Sequence, residues 1–157
     1  MEKPAPPDES ALMRLRENAR LRLDREGRWW HEGQPVEHPR VAALFHRGLG
    51  RAPDGRYTLT VGPQWCFVEV EDAPYVVRAA RLDDAGAALT LSDASVERLD
   101  PATLTLGADG ALRCLVKAGA MPARFSRQAQ LALADALGDE GGRLTLALGG
   151  ARWDVPR

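Results

Sequence analysis

The chain has 157 residues, 45% of them hydrophobic, with 21 basic and 22 acidic side chains giving a net charge of −1. That length suits one ordinary domain or two small packed units, with enough apolar residues for a core. The charge balance excludes a global field that would gather nucleic acid or anionic lipid, no apolar run approaches the ~18 residues needed to cross a bilayer, and the opening MEKPAPPDES lacks the apolar stretch of a secretory leader.

The expectation is a cytoplasmic globular protein without a membrane span, a monomer or weak dimer. All the basic residues except Lys3 and Lys117 are arginine. With the Ala, Gly and Pro content, this points to a GC-rich genome rather than to an arginine-built site.

Residues 1–7, with three prolines, read as a disordered lead-in. From Asp8 or Ser10 as cap, ESALMRLRENA sets Leu12, Leu15 and Ala19 at helical spacing. RLRLD and GRWWHEG then form a hairpin around Gly27, followed by a helix from about His38 to Leu49 with Val41, Leu44, Phe45 and Leu49 as its apolar stripe and Gly50 as its stop. GRYTLTVG and QWCFVEV are strands separated by Gly62-Pro63. Pro74 to Leu82 and Ala87 to Leu91 are strands around the turn signal DDAG, and DASVERLDP adds a helical turn or loop.

The last third repeats the first. Leu21, Leu23 and Gly27 align without a gap on Leu104, Leu106 and Gly110; DGRYTLTVG aligns on GGRLTLALG, and WCFVEV on RWDV. A helix ending at Leu49-Gly50 falls on one ending at Leu137-Gly138. The shared order argues for an internal duplication, with chance similarity of Ala/Leu/Gly-rich sequence as the competing explanation. The fold class is α+β: a duplicated hairpin-helix-hairpin unit with mainly antiparallel sheets, because the connections are too short for repeated parallel crossovers. Residues 8–72 form the N-terminal repeat with its preceding helix, and 73–157 the connector strands and C-terminal repeat.

Gly27-Arg28-Trp29, Leu44-Phe45, Asp54-Gly55-Arg56-Tyr57-Thr58-Leu59 and Val70-Glu71-Asp72-Ala73-Pro74-Tyr75 occur in the order and spacing of a known pattern. In these motifs the N-terminal half resembles the bacterial domain of unknown function 1285 family, and the C-terminal half resembles it more loosely. Two positions depart from that pattern: Val61-Gly62-Pro63-Gln64 replaces a Thr-Pro-x-Glu turn, and Leu91-Ser92-Asp93 replaces a Thr-Asn pair. The resemblance implies a duplicated α+β fold with a loosely pleckstrin-homology-like C-terminal half, a binding surface between the copies, and no catalytic residues.

Strand parity puts Cys66, Val68 and Val70 on one face and Phe67, Glu69 and Glu71 on the other. Glu71 and Asp72 precede a proline break, so turn stabilisation, a polar binding contact and metal or acid-base work all stand as readings. No histidine pair has ligand spacing: His38 and His46 lie about 12 Å apart along a helix. The glycines form no phosphate loop. Cys66 and Cys114 read as buried thiols, with a disulfide or a nucleophile as the other possibilities. Trp29 and Trp30 point to opposite faces, so one fills the core while the other can reach a recognition surface.

The leading functional expectation is a non-enzymatic ligand- or partner-binding regulatory module, acting in signalling, with the cleft between the halves as its site. Its ligand-binding residues are Trp29, Trp30, Glu71, Asp72 and Tyr75, with no cofactor and no metal. The alternative is a metal-dependent or hydrolytic enzyme using Glu69, Glu71 and Asp72.

Overall fold

The computed structural model describes residues 9–157, so the expected lead-in and the Asp8 cap lie outside the described residues. The chain groups into two compact units. The first comprises residues up to Asp24 together with Arg28–Glu71; the second comprises Arg25–Gly27 and Asp72–Arg157.

In the first unit, α1 (Glu9–Glu17) precedes β1 (Leu21–Leu23), β2 (Trp29–His31) and β3 (Gln34–Pro35). Then follow α2 (Pro39–Arg47), β4 (Leu49–Arg51), β5 (Tyr57–Val61), β6 (Gln64–Phe67) and β7 (Glu69–Val70). The strands make two sheets, ordered β3-β2-β1-β7 and β4-β5-β6. Leu21, Leu23, Trp29, Leu59 and Val68 form the core, with Phe45, Val36 and Cys66 packed against it. Each such apolar side chain contributes about 1.5–3 kcal/mol when fully buried.

Two expectations change here. Leu15 is 65% exposed, so α1 presents less of an apolar stripe than its spacing promised. The second helix ends at Arg47, and Leu49 and Gly50 already belong to β4. Gly48 caps it instead: its N–H bonds back to Leu44 and Phe45 carbonyls while its own carbonyl accepts from Thr60 N at 2.9 Å. A Cβ there would lie 2.2 Å from the Thr60 carbonyl oxygen, which explains why glycine stands at this crossing.

The second unit contains β8 (Tyr75–Asp83), β9 (Gly86–Leu91), β10 (Val96–Arg98), β11 (Thr105–Leu106), β12 (Leu112–Val116) and β13 (Met121–Phe125). These form one sheet in the order β10-β9-β8-β13-β12-β11, antiparallel except for β8 beside β13. The stretch expected as a helical turn or loop after Asp93 is instead the edge strand β10, because Val96–Arg98 pairs with Ala88–Thr90 of β9. Only Pro101–Thr103 makes a short 3-10 turn. Next come α3 (Arg127–Ala132), a 3-10 turn at Ala134–Ala136, and the three-stranded sheet β14 (Leu137–Glu140), β15 (Arg143–Leu148) and β16 (Ala151–Asp154). The second core is built on Val77, Leu89, Leu91, Leu104, Leu112, Phe125, Leu133 and Leu146.

The duplication is visible in the hydrogen bonds of each unit taken separately. Asp24 N bonds Arg28 O at 2.9 Å and Gly107 N bonds Ala111 O at 2.9 Å, and Gly27 (φ +82°) and Gly110 (φ +81°) turn the corresponding corners. Gly50 pairs with Thr58 and Leu59 with Cys66, as Gly138 pairs with Thr145 and Leu146 with Trp153. Val68 N reaches Tyr57 O just as Val155 N reaches Leu144 O. Leu49-Gly50 and Leu137-Gly138 thus align as strand starts rather than as the helix ends that their sequence suggests. No helix among the described residues is long and apolar enough to cross a membrane.

Candidate functional site

A concavity of about 850 Å³ lies within the second unit. Its walls are β8, β13, the start of α3, the β11–β12 turn and the Arg25–Gly27 tip. In the parallel β8–β13 pairing, Arg124 stands beside Val76 and Phe125 beside Val77. Alternation therefore sends Val77 and Phe125 into the core and puts Val76, Arg78 and Arg124 on the opposite, groove-facing side.

Hydrogen bonds fix these walls. Ser126 N donates to Val77 O at 2.9 Å, and Ser126 Oγ caps α3 by accepting from Ala129 N at 3.1 Å. Gln130 spans from helix to turn: its Oε1 accepts from Leu112 N at 2.9 Å while its Nε2 donates to Gly110 O at 2.9 Å. Gly27 sits against β8, where an added Cβ would come within 2.9 Å of Val76 and 3.2 Å of the Arg78 guanidinium.

The electrostatics divide in two. Arg113 and Arg124 are cross-strand partners, an arrangement that would be repulsive alone. Asp72 and Asp109 lie between them: Asp72 Oδ2 meets Arg113 Nη2 at 2.7 Å and Arg124 Nε at 3.2 Å, and Asp109 contacts the same two guanidiniums at 3.0 and 3.1 Å. Hydrogen bonds from Arg113, from Ala111 N–H and from Arg124 hold the Asp109 carboxyl well below the usual carboxylate range. Asp109 and then Asp72 push the Arg113 guanidinium up. This quartet is electrically closed. Arg78 and Arg127, which also line the groove, have no ion pair among the described residues.

The residues expected to bind a ligand are placed as follows. Trp29 is 1% exposed and fills the first core edge-on to Phe45, with Nε1 donating to His46 Nδ1 at 3.0 Å. Since an indole N–H only donates, His46 Nδ1 accepts there, and its 3.2 Å approach to Ala42 O is not a hydrogen bond in that tautomer. Trp30 is half-buried and donates to Asp24 Oδ2 at 2.9 Å. Arg22 brings Trp30 and Glu71 together on one sheet face of the first unit, its guanidinium 5.2 Å from the indole centroid and 3.7 Å from Glu71 Oε2. Asp72 belongs to the quartet of the second unit.

Tyr75 is buried, and Lys117 Nζ lies 5.2 Å from its ring. Burial, reinforced by Asp93 and Glu97, pushes its hydroxyl up to about 12. Lys117 Nζ also donates to buried Asp93 at 2.6 Å and to Ser95 Oγ at 2.9 Å.

Cys66 and Cys114 are free thiols. Burial, helped by Glu97, raises Cys114 to about 12, far from a thiolate nucleophile. Among the described residues no group of three or more His, Cys, Asp or Glu is arranged to hold a metal ion.

Sequence reasoning did not single out Arg78, Arg124, Arg127, Gln130 or the buried turn carboxylate Asp24. The arginines were hidden by their abundance. Asp24 carried one local sign, an aspartate opening the D-R-E-G turn, where its Oδ1 accepts from Arg28 N at 2.9 Å.

A family model described as "Protein of unknown function (DUF2946)" matches residues 12–150. Two solved structures share the fold. A DUF1285 family protein from Silicibacter pomeroyi DSS-3 is 22% identical with a TM-score of 0.72, the match covering 88% of this chain and 80% of that one. A DUF1285 family protein from Shewanella baltica OS155 is 17% identical with a TM-score of 0.62, covering 75% of this chain and 92% of that one. Among curated proteins none matches the chain. The resemblance read from the Val70–Tyr75 stretch and its neighbours thus has its counterpart in a shared α+β fold. With the family model spanning nearly the whole sequence, the chain belongs to the family described as protein of unknown function DUF2946.

Proposed function

We propose that the protein is a cytoplasmic, non-catalytic binding module that acts in regulation, and that its ligand occupies the groove of the second unit. One observation carries this reading. The groove pairs apolar wall residues, Val76, Ala111 and Leu131, with fixed polar groups from Ser126 and Gln130 and with arginines around it. Ligand sites are commonly built this way, with apolar walls for contact area and a few positioned polar groups for orientation.

Asp72 serves this site indirectly, by holding Arg113 and Arg124 in place. Glu71 and Trp30 share the Arg22 surface of the first unit, where they suit a partner contact. Trp29 and Tyr75 support their cores from within. The Glu69, Glu71 and Asp72 set lends the enzyme reading little support, because Glu71 and Asp72 both face guanidiniums.

The test is a thermal-shift screen of small acids, bases and neutral metabolites against the wild type and Leu131→Trp, a change at an exposed groove-lining position. Compounds that stabilise only the wild type support the reading. If nothing stabilises the protein, or if stabilisation survives the bulky substitution unchanged, the groove is not the site.

A further inference from the structure

The geometry points to an anion site: the groove binds ligands through a carboxylate or phosphate group, held by Arg78 and Arg127. This inference rests on the reading of the groove as a ligand site and specifies its chemistry. Four guanidiniums, from Arg25, Arg78, Arg124 and Arg127, line the groove with only two carboxylates, Glu26 and Asp109. Asp109 is committed to Arg113 and Arg124. The other carboxylate on that pair, Asp72, completes an internally neutral quartet. Arg78 and Arg127 therefore add positive charge that no carboxylate among the described residues neutralises by an ion pair, in a chain whose net charge is −1.

Position makes this excess useful. Arg78 follows Val76 and Val77 on β8 and Arg127 follows Ser126, and Ser126 N–H to Val77 O at 2.9 Å joins the two segments. Ser126 Oγ also approaches Arg78 O at 3.3 Å. Both arginine backbones are thereby held at one edge of a concavity. Gly27 leaves room for the Arg78 guanidinium, which a larger residue at this φ of +82° would displace. Planar guanidiniums on a fixed backbone favour bidentate contact with carboxylate or phosphate oxygens.

The anion can come from a phosphorylated compound or an organic acid, and the experiment separates them. Melting temperature would be followed against inorganic phosphate and against succinate, with chloride at matched ionic strength as reference, for wild type, Arg78→Met, Arg127→Met and Leu131→Trp. The expected result is a saturable stabilisation by one or both anions, weakened roughly tenfold by each arginine substitution. A phosphate response without a succinate response assigns a phosphorylated ligand, and the reverse assigns an organic acid. Either result supports the inference.

The inference is overturned if neither anion stabilises more than chloride, or if the arginine substitutions leave the response unchanged. If neutral compounds still stabilise the wild type but not Leu131→Trp, the groove reading survives and only its anionic chemistry fails. If Leu131→Trp responds to every compound as the wild type does, the groove reading fails with it.

Discussion

Asp72 Oδ2 lies 2.7 Å from Arg113 Nη2, forty-one residues away in sequence, and the same oxygen lies 3.2 Å from Arg124 Nε. The two guanidinium side chains are 26% and 21% exposed, so the ion pairs are only partly screened by water. Asp72→Ala should therefore destabilise the fold by about 1–3 kcal/mol, since it leaves two adjacent half-buried cations short of an acceptor. Glu71→Ala should stay within about 0.5 kcal/mol, because its 3.7 Å contact with Arg22 is exposed and loose. Urea unfolding of the two variants checks this, and equal losses would show that the neighbouring acids are not divided as their contacts indicate.

Asp93 concerns acid stability. Burial would raise its carboxyl, but hydrogen bonds from Lys117 and Ser95 outweigh burial and lower it below the ordinary aspartate value. A group depressed in the folded state contributes stability that is complete above the unfolded value, about 3.9, and is lost as pH falls through the folded value. Asp93→Asn should thus be less stable than wild type at neutral pH, with the gap closing below about pH 4. Urea midpoints across a pH series read this out. A gap constant with pH would mean that the Asp93 charge contributes nothing.

Tyr75 predicts the opposite end of the scale. Its hydroxyl, raised to about 12 by burial, Asp93 and Glu97, keeps its proton in the folded state after the unfolded chain has released its own near 10. The stability so gained is complete below about pH 10 and falls by roughly 2–3 kcal/mol as pH rises towards 12. Tyr75→Phe removes that alkaline decline, and the high tyrosinate absorbance step should vanish with it. An alkaline profile identical to wild type would refute the assignment.

Gly48 and Gly55 separate steric from conformational demands. Gly48→Ala drives a Cβ to 2.2 Å from the Thr60 carbonyl oxygen and should cost about 2 kcal/mol or more by overpacking. Gly55→Ala meets nothing within 4 Å and bears only the strain of φ +93°, about 1 kcal/mol. Thermal melts of both variants would show the order, and a reversal would place the α2–β4 crossing elsewhere.

Much of the local fold was legible. The turns at Gly27 and Gly110, the DDAG hairpin and the strand pair of the GRYTLTVG segment follow from residue types whose backbone preferences act over a few positions. Reading the second helix two residues too long failed because its stop is imposed from a distance, by the Thr60 N–H bond to Gly48 O and the pairing of Leu49–Arg51 with β5. The β10 strand was missed because VER has no alternation of its own and becomes a strand by pairing with β9. Among the site residues, strand parity put one of Trp29 and Trp30 in the core without saying which, and nothing local marked Tyr75 as buried. Arg78 and Arg127 could not be told from the other arginines.

The sequence by itself determined that two similar sets of hairpins, helix and strands would form, since hydrophobic alternation and turn glycines act through neighbours on the chain. Only the tertiary structure decided which charges meet. The β8–β13 pairing brings residues 75–77 beside 123–125, committing Asp72 and Asp109 to Arg113 and Arg124 and leaving Arg78 and Arg127 at the groove. Asp109 and Arg113 are four residues apart, but the pairs that bring in Asp72 and Arg124 form through space between distant segments, and spacing along the chain does not encode them.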